Sequence, residues 1–198
     1  MSKHHRFRMF LVTVLLFLRP HVALAHEGDP SGGFLNGLTH PMFGPDHVLA
    51  MVAVGLWGAQ LGVPAIWLLP VAFPLVMAVG GFLGLIGVPI PGIEIGIAAS
   101  AMTLGVLVFL QARPKLPVAL FLVGLFAIFH GHAHGTELPA GDSGILYSIG
   151  FVIGTGLLHG CGISLGLIHH WKWGTKVIQF SGFLIAVGGC YYLYRALA

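Results

Sequence analysis

Apolar runs without a charged residue recur along this chain, and they reach or exceed about 18 residues, the length that crosses a bilayer as a helix. The sequence is 57% hydrophobic and 8% charged, with a mean hydropathy of +0.93. The runs are continuous and rich in Leu, Gly and Ala, which excludes the alternating pattern of barrel strands. We therefore expect an all-α membrane protein whose backbone polar groups are satisfied within helices.

The first 25 residues have the pattern of a secretory signal peptide. A basic start precedes the short apolar core MFLVTVLLFL, and the small residues Ala23 and Ala25 mark the expected cleavage point. We predict that residues 1–25 are removed and that residues 26–198 form one membrane domain; an uncleaved first span is the alternative. The mature chain then has five basic and six acidic residues, a net charge of −1 with histidine neutral. The high isoelectric point therefore comes from the signal peptide and indicates no nucleic-acid partner.

Six apolar segments follow the signal peptide, and short connections containing Pro and Gly separate them. We expect six transmembrane helices in these segments. They lie near Phe34–Gln60, Pro64–Ile86, Ile93–Ala112, Pro117–Gly135, Gly144–His169 and Thr175–Leu197.

The basic residues predict the orientation in the membrane. Arg113 and Lys115 lie between the third and fourth segments, Lys172 and Lys176 lie between the fifth and sixth, and Arg195 is the exception. With the mature N-terminus on the periplasmic side, both basic loops fall in the cytoplasm, as the positive-inside rule requires.

The first motif, HPMFGPDH, places His40, Asp46 and His47 near the outer end of the first segment. On a straight helix His40 and His47 share a face but lie about 10 Å apart along the axis, too far to bind one ion together. Two prolines and a glycine between them favour a bend instead, which could bring His40 back towards the Asp46–His47 pair. Broken helices of this kind line ion sites in transporters.

The second motif, FHGHAHGTE, ends the fourth segment. His130 and His134 are one turn apart on one helix face, Glu137 continues that face, and His132 points to the opposite one. Two imidazoles at this spacing can bind one divalent ion. Imidazole with a minority of carboxylate favours Ni, Co, Zn or Cu(II) over Mg or Ca.

A single histidine within a membrane is often only a hydrogen-bonding partner between helices. Five imidazoles and two carboxylates in two motifs on one membrane side indicate instead a path for an ion. Further along, His159 and Cys161 lie past the midplane of the fifth segment and could pass the ion inward; a helix-packing role is the alternative for His159. His26, the first mature residue, could chelate a metal through its amine and imidazole, or belong to a disordered tail.

At these residues the sequence resembles the HupE/UreJ family of nickel permeases. The family pattern H-x5-D-H matches at His40, Asp46 and His47, and the resemblance extends over the signal peptide and all six segments. His132 falls at a variable position of the second family pattern. That pattern, F-H-G-x-A/V-H-G-x-E, matches at Phe129, His130, Gly131, Ala133, His134, Gly135 and Glu137.

The resemblance implies a multi-pass permease of the bacterial inner membrane that takes up Ni²⁺, or in some members Co²⁺, and supplies hydrogenase or urease through metal-delivery partners. The ion is cargo, and no prosthetic group is expected. The implied metal site is His40, Asp46, His47, His130, His134 and Glu137, and a possible additional pathway is His26, His132, His159 and Cys161.

Two other functions stay open at this point. The chain could be a metal-binding accessory subunit that needs a partner for transport, or an intramembrane hydrolase using a metal or Ser164 near His159. Neither H-E-x-x-H nor the nucleotide-binding pattern G-x4-G-K-[ST] occurs. The run GISLG around Ser164 has the spacing G-x-S-x-G, but it lies inside an apolar helical segment and not at the strand-to-helix turn that the hydrolase motif needs. We therefore expect no enzyme activity and no ATP hydrolysis by this chain.

Overall fold

The computed structural model describes residues 30–138 and 143–198, and all regular structure within these ranges is helical. The all-α prediction is confirmed, while the expected signal peptide and His26 lie outside the described residues. A short 3₁₀ helix, Leu167–His170, follows the sixth of seven α-helices in these ranges. The helices are α1 (Pro30–Phe43), α2 (Pro45–Leu61), α3 (Ala65–Leu85), α4 (Ile93–Phe109), α5 (Leu116–Thr136), α6 (Gly144–Gly166) and α7 (Gly174–Leu197).

The described helices are those of a multi-pass membrane protein. Four of them, α3, α5, α6 with its 3₁₀ extension, and α7, are long and apolar enough to cross a membrane, and α1 with α2 makes a bent fifth candidate. Four or five spans are thus supported, and the expected sixth stays a prediction, because α4 is a shorter apolar helix of 17 residues.

Large apolar side chains cover the outside of this bundle. Phe82, Phe121 and Phe180 are each at least 60% exposed, and many Leu, Val and Ile side chains share this exposure. Soluble monomers rarely expose apolar surface on this scale. The outer surface therefore faces lipid, and the polar side chains of the first and fourth predicted segments need partners inside the bundle.

The first predicted segment is broken at Gly44, where α1 and α2 meet at an angle of 83°. Gly44 is extended, with φ −91° and ψ 100°, and caps the start of α2. Pro45 has no N–H to donate to the carbonyl of Pro41, so the hydrogen bond that would continue α1 into α2 at this residue is missing. The prolines and glycine of the first motif thus turn the chain sharply between His40 and His47.

Four helix pairs make the closest contacts: α1 with α6, α2 with α6, α3 with α5, and α4 with α7. Helix α2 also contacts α3, α4 and α7, so it occupies the centre of the bundle. Its middle is buried on every side, since Met51, Val54, Leu56 and Trp57 have no exposed surface. The first residues of α2, which carry Asp46 and His47, are therefore held by a rigid central helix.

Glycines let these helix pairs approach through their main chains. A Cβ atom on Gly131 in α5 would overlap the main-chain oxygen of Met77 in α3. A Cβ atom on Gly55 in α2 would likewise overlap the main-chain oxygen of His159 in α6. Small residues at helix contacts are the usual means of close packing in membranes.

We predict that Gly55→Ala destabilises the protein by about 1–3 kcal/mol, because α2 and α6 must move apart to accommodate the methyl group. The measurement is unfolding in mixed micelles with increasing SDS, followed by circular dichroism. Gly156→Ala is the matched control, since nothing lies within 4 Å of a Cβ at that position of α6. Equal stability of the two variants would contradict the close α2–α6 contact.

Candidate metal centre

Three helix ends meet at one end of the bundle: the end of α1, the start of α2 and the end of α5. They bring together six side chains that we call the histidine cluster: His40, Asp46, His47, His130, His134 and Glu137. The ring centroid of His47 lies 4.8 Å from that of His130 and 4.6 Å from that of His134. The His40 ring lies 4.8 Å from the His134 ring. The two sequence motifs, more than 80 residues apart in the chain, therefore form one site.

Within the cluster, two groups of three side chains have ligand atoms close enough to share an ion. His47, His130 and His134 form one group, and His40, His134 and Glu137 form the other; in each, the ligand atoms lie within 4.8 Å of one another. Two metal–ligand bonds of about 2.1 Å span about 4.2 Å, so small side-chain movements would close either group around an ion. Because His134 belongs to both groups, an ion could pass from one to the other without losing all its ligands.

Asp46 orients His47. The Nδ1 of His47 and the Oδ1 of Asp46 are 2.9 Å apart, and the same oxygen accepts the main-chain N–H of His47 at 2.9 Å. A carboxylate only accepts hydrogen bonds, so Nδ1 is the protonated nitrogen and Nε2 keeps its lone pair. That Nε2 is buried without a hydrogen-bond partner in the described part of the chain. The sequence predicts Asp46 as a ligand, but the structure places it behind His47 and in neither group of three.

Ser100 on α4 orients His130 in the same way. Its hydroxyl donates to the main-chain oxygen of Ile97 at 2.6 Å and lies 2.9 Å from Nε2 of His130. The single hydroxyl hydrogen is used on Ile97, so Ser100 accepts from the Nε2–H of His130. Nδ1 of His130 then keeps its lone pair, and it has no other partner among the described residues. Partners of this kind are typical of metal-binding histidines.

Glu137 lies at the outer edge of the cluster. Its Oε2 is 3.3 Å from Nε2 of His40 and 3.8 Å from Nδ1 of His134. The exposed fraction of the side chains falls from 52% at Glu137 to 31% at His40 and 7% at His134, and His130 is fully buried. The two groups of three thus form an outer group open to the surface and an inner group closed from it.

The cluster suits a divalent transition-metal ion by composition and by charge. Imidazole nitrogens predominate in both groups, and such ligands favour Ni, Co, Zn and Cu(II). Asp46 and Glu137 supply two negative charges beside the imidazoles, which match the charge of one dication. In the bilayer this balance matters, because an uncompensated charge there is costly.

The structure does not bring the other candidate residues into the cluster. His132 points away, as predicted, and its Nε2 donates to the main-chain oxygen of Val88 at 2.7 Å. Cys161 is exposed on the outside of α6. Ser164, considered as a nucleophile near His159, is also exposed and donates to the main-chain oxygen of Gly160 at 2.8 Å.

His159 is buried deeper in the bundle and is connected to the cluster only through an aromatic ring. The Phe73 ring centroid lies 5.5 Å from that of His130 and 5.4 Å from that of His159. His159 therefore lies deeper in the bundle than the inner group and belongs to neither group of three.

Sequence reasoning missed Ser100. The residue lies in the apolar run IAASAM, where a serine is typical of helix packing. Its contact with His130 depends on how α4 packs against α5, and no local pattern in the sequence indicates it.

A helical membrane bundle with an imidazole-rich, charge-balanced cluster at one end is the architecture of a membrane protein that handles a transition-metal ion. The family described as HupE / UreJ protein matches residues 13–192 of the chain. The chain is also 41% identical over 184 residues to Protein HupE of Rhizobium leguminosarum bv. viciae. The alignment covers 93% of this chain and 96% of that protein. No solved structure matches it.

The chain belongs to the HupE/UreJ family, so the resemblance found in the two motifs is confirmed. Membership of this family of metal transporters and accessory proteins also confirms that the chain is not an enzyme.

We predict that Ser100→Ala weakens Ni²⁺ binding by about 10- to 100-fold, the usual effect of removing a group that orients a metal ligand. The Nε2–H of His130 loses its acceptor, so the ring is free to turn or to change tautomer. Isothermal titration calorimetry on the detergent-solubilised protein measures the affinity. Ser181→Ala, which removes an exposed hydroxyl bonded within α7, should bind as the unmodified protein does. Unchanged affinity of Ser100→Ala would show that this bond does not orient a ligand.

Proposed function

We propose that the chain is a permease that carries Ni²⁺, with Co²⁺ as the next candidate, from the periplasm to the cytoplasm through the histidine cluster. The observation that carries the proposal is the convergence of the two family motifs, which lie on different helices, into two overlapping ligand groups. His40, His47, His130, His134 and Glu137 act as ligands, and Asp46 acts through His47.

The proposed topology has six spans in the bacterial inner membrane. Helix α4 has 17 residues, about 26 Å at 1.5 Å per residue, which is within the range of transmembrane helices. Counted with the bent α1–α2 pair, α4 completes six. Cleavage after Ala25 would leave the mature N-terminus, with His26, in the periplasm.

The charge distribution supports the direction of transport. Arg113 and Lys115 precede α5, and Lys172 lies between α6 and α7, so these residues belong to the end of the bundle opposite the histidine cluster. The positive-inside rule assigns that end to the cytoplasm. The cluster, with Glu137 at its exposed edge, then faces the periplasm and receives the ion first.

Uptake begins at the outer group, where Glu137 and His40 are exposed enough to meet a hydrated ion. The Glu137 carboxylate attracts the dication, and the nitrogens of His40 and His134 replace water molecules. His134 then shares the ion with His47 and His130, whose protonated nitrogens are turned away by Asp46 and Ser100. Overlapping sites of moderate strength allow both binding and release.

The ion delivered to the cytoplasm would supply metalloenzymes such as hydrogenase or urease through metal-delivery partners. The similarity to a protein named HupE supports this assignment. Transport by the chain alone would separate a permease from an accessory subunit that needs a partner.

We predict that the purified chain, reconstituted alone in liposomes, takes up radioactive Ni²⁺, and that His47→Ala and His134→Ala reduce uptake to the level of protein-free liposomes. Each variant removes a ligand of the inner group. His132→Gln is the matched control on α5, because a glutamine keeps a donor for Val88 and leaves both ligand groups intact. If the unmodified chain binds Ni²⁺ but transports none, the accessory function is supported instead.

Metal selectivity gives a second prediction from the same liposomes. Excess Co²⁺ should inhibit Ni²⁺ uptake, because it prefers the same imidazole-rich ligands, whereas Mg²⁺ and Ca²⁺ should not, because they prefer all-oxygen sites. Uptake of labelled Ni²⁺ is measured with each competitor in turn, and with Zn²⁺ and Cu²⁺ for comparison. Inhibition by Mg²⁺ equal to that by Co²⁺ would contradict nitrogen ligation.

A further inference from the structure

Helix α6 carries two polar side chains, Thr155 and His159, on a buried face away from the histidine cluster. Thr155 is completely buried and His159 is 1% exposed. They are four residues apart, so they lie on one face of the helix, one turn from each other. Neither the Thr155 hydroxyl nor a ring nitrogen of His159 makes a hydrogen bond of standard geometry within the described part of the chain.

The Thr155 hydroxyl is unusual for this helix. Serines in α6 donate to the main-chain oxygen four residues earlier, Ser148 to Gly144 at 2.7 Å and Ser164 to Gly160 at 2.8 Å. This local bond is the ordinary way for a membrane helix to satisfy a hydroxyl. Thr155 does not form it, although it is more deeply buried than either serine. A buried hydroxyl left in this way is available to another partner.

Helix α3 contributes an oxygen to the same place. Pro74 has no N–H, so the main-chain oxygen of Pro70 lacks the donor that a helix normally provides. This oxygen lies beside the His159 imidazole. An imidazole that faces a main-chain oxygen through one nitrogen presents the other nitrogen as a ligand, the usual arrangement of metal-binding histidines.

The pair lies on the way from the histidine cluster to the basic end of the bundle. His159 is 15 residues beyond the start of α6, about 22 Å along the helix, and so past the middle of a hydrocarbon core of about 30 Å. Between it and the inner group lies Phe73, which is fully buried and in edge-to-face contact with both His130 and His159. An apolar ring thus separates the two polar sites.

We infer that His159 and Thr155 form a second, inner site for the transported dication, with the main-chain oxygen of Pro70 orienting the His159 ring. The inference rests on the proposed function and extends it by a site that neither motif contains. One imidazole and one hydroxyl bind a dication more weakly than the histidine cluster, since they supply fewer nitrogens and no carboxylate. A weaker second site favours onward movement and release.

Thr155→Val tests the hydroxyl with almost no change of shape. We expect Ni²⁺ uptake into liposomes to slow by at least about tenfold, the lower end of the effect of removing a metal-site group. Thr155→Ser keeps the hydroxyl and should restore most of the uptake that Thr155→Val loses. Ni²⁺ affinity of the histidine cluster, measured by calorimetry, should be the same in both variants. Equal uptake by Thr155→Val and the unmodified chain would overturn the inference.

His159→Cys reports contact with the ion directly. The variant is made with Cys161→Ser and Cys190→Ser, and bound Ni²⁺ should give a thiolate-to-nickel charge-transfer band in the near ultraviolet. Leu158→Cys in the same background is the control, because Leu158 lies at the same depth, on a neighbouring face that packs against the core. Uptake by the unmodified chain without a band from His159→Cys would overturn the inner site alone. Absence of uptake by the unmodified chain would instead contradict the proposed function.

Discussion

Imidazole and carboxylate side chains are costly in a bilayer unless they find partners there, and this fold depends on how that requirement is met. The break at Gly44 turns the chain by 83°, so that His40 and His47 approach the end of α5 from two directions. The end of α5 supplies His130, His134 and, just beyond it, Glu137. Polar groups that lipid would reject on separate helices thus become one another's environment.

Two hydrogen bonds convert this group of side chains into a directed set of ligands. Asp46 accepts a hydrogen bond from the protonated nitrogen of His47, and Ser100 accepts one from the protonated nitrogen of His130. The remaining nitrogens keep their lone pairs, and one nitrogen of each ring lies within 4.8 Å of a nitrogen of His134. His132 shows the contrast on the same helix, because its N–H is used to bind the main chain at Val88. The difference between a metal ligand and a packing histidine is therefore set by the neighbouring helix.

Main-chain contact between helices positions both the cluster and the inner site. Gly131 brings α5 against α3, and Gly55 brings α2 against α6 at the level of His159. In this arrangement the prolines of α3 lie near α6. The main-chain oxygen of Pro70, which lacks a helical donor because of Pro74, lies beside the His159 imidazole. Close packing of small residues and the polar path through the bundle are in this way parts of one arrangement.

Much of the site follows from the sequence, because local rules decide it. Apolar length indicates helices in a membrane, helical periodicity places His130 and His134 on one face and His132 on the other, and two prolines with a glycine predict the break before His47. The assignment to the HupE/UreJ family followed from the same residues.

What the sequence left undetermined is which side chains meet: that Asp46 lies behind His47, that His134 joins two ligand groups, that Ser100 touches His130, and that Cys161 faces outward. These contacts join helices far apart in the chain, and their geometry depends on main-chain packing at glycines. The periodicity of a single helix carries no information about that packing.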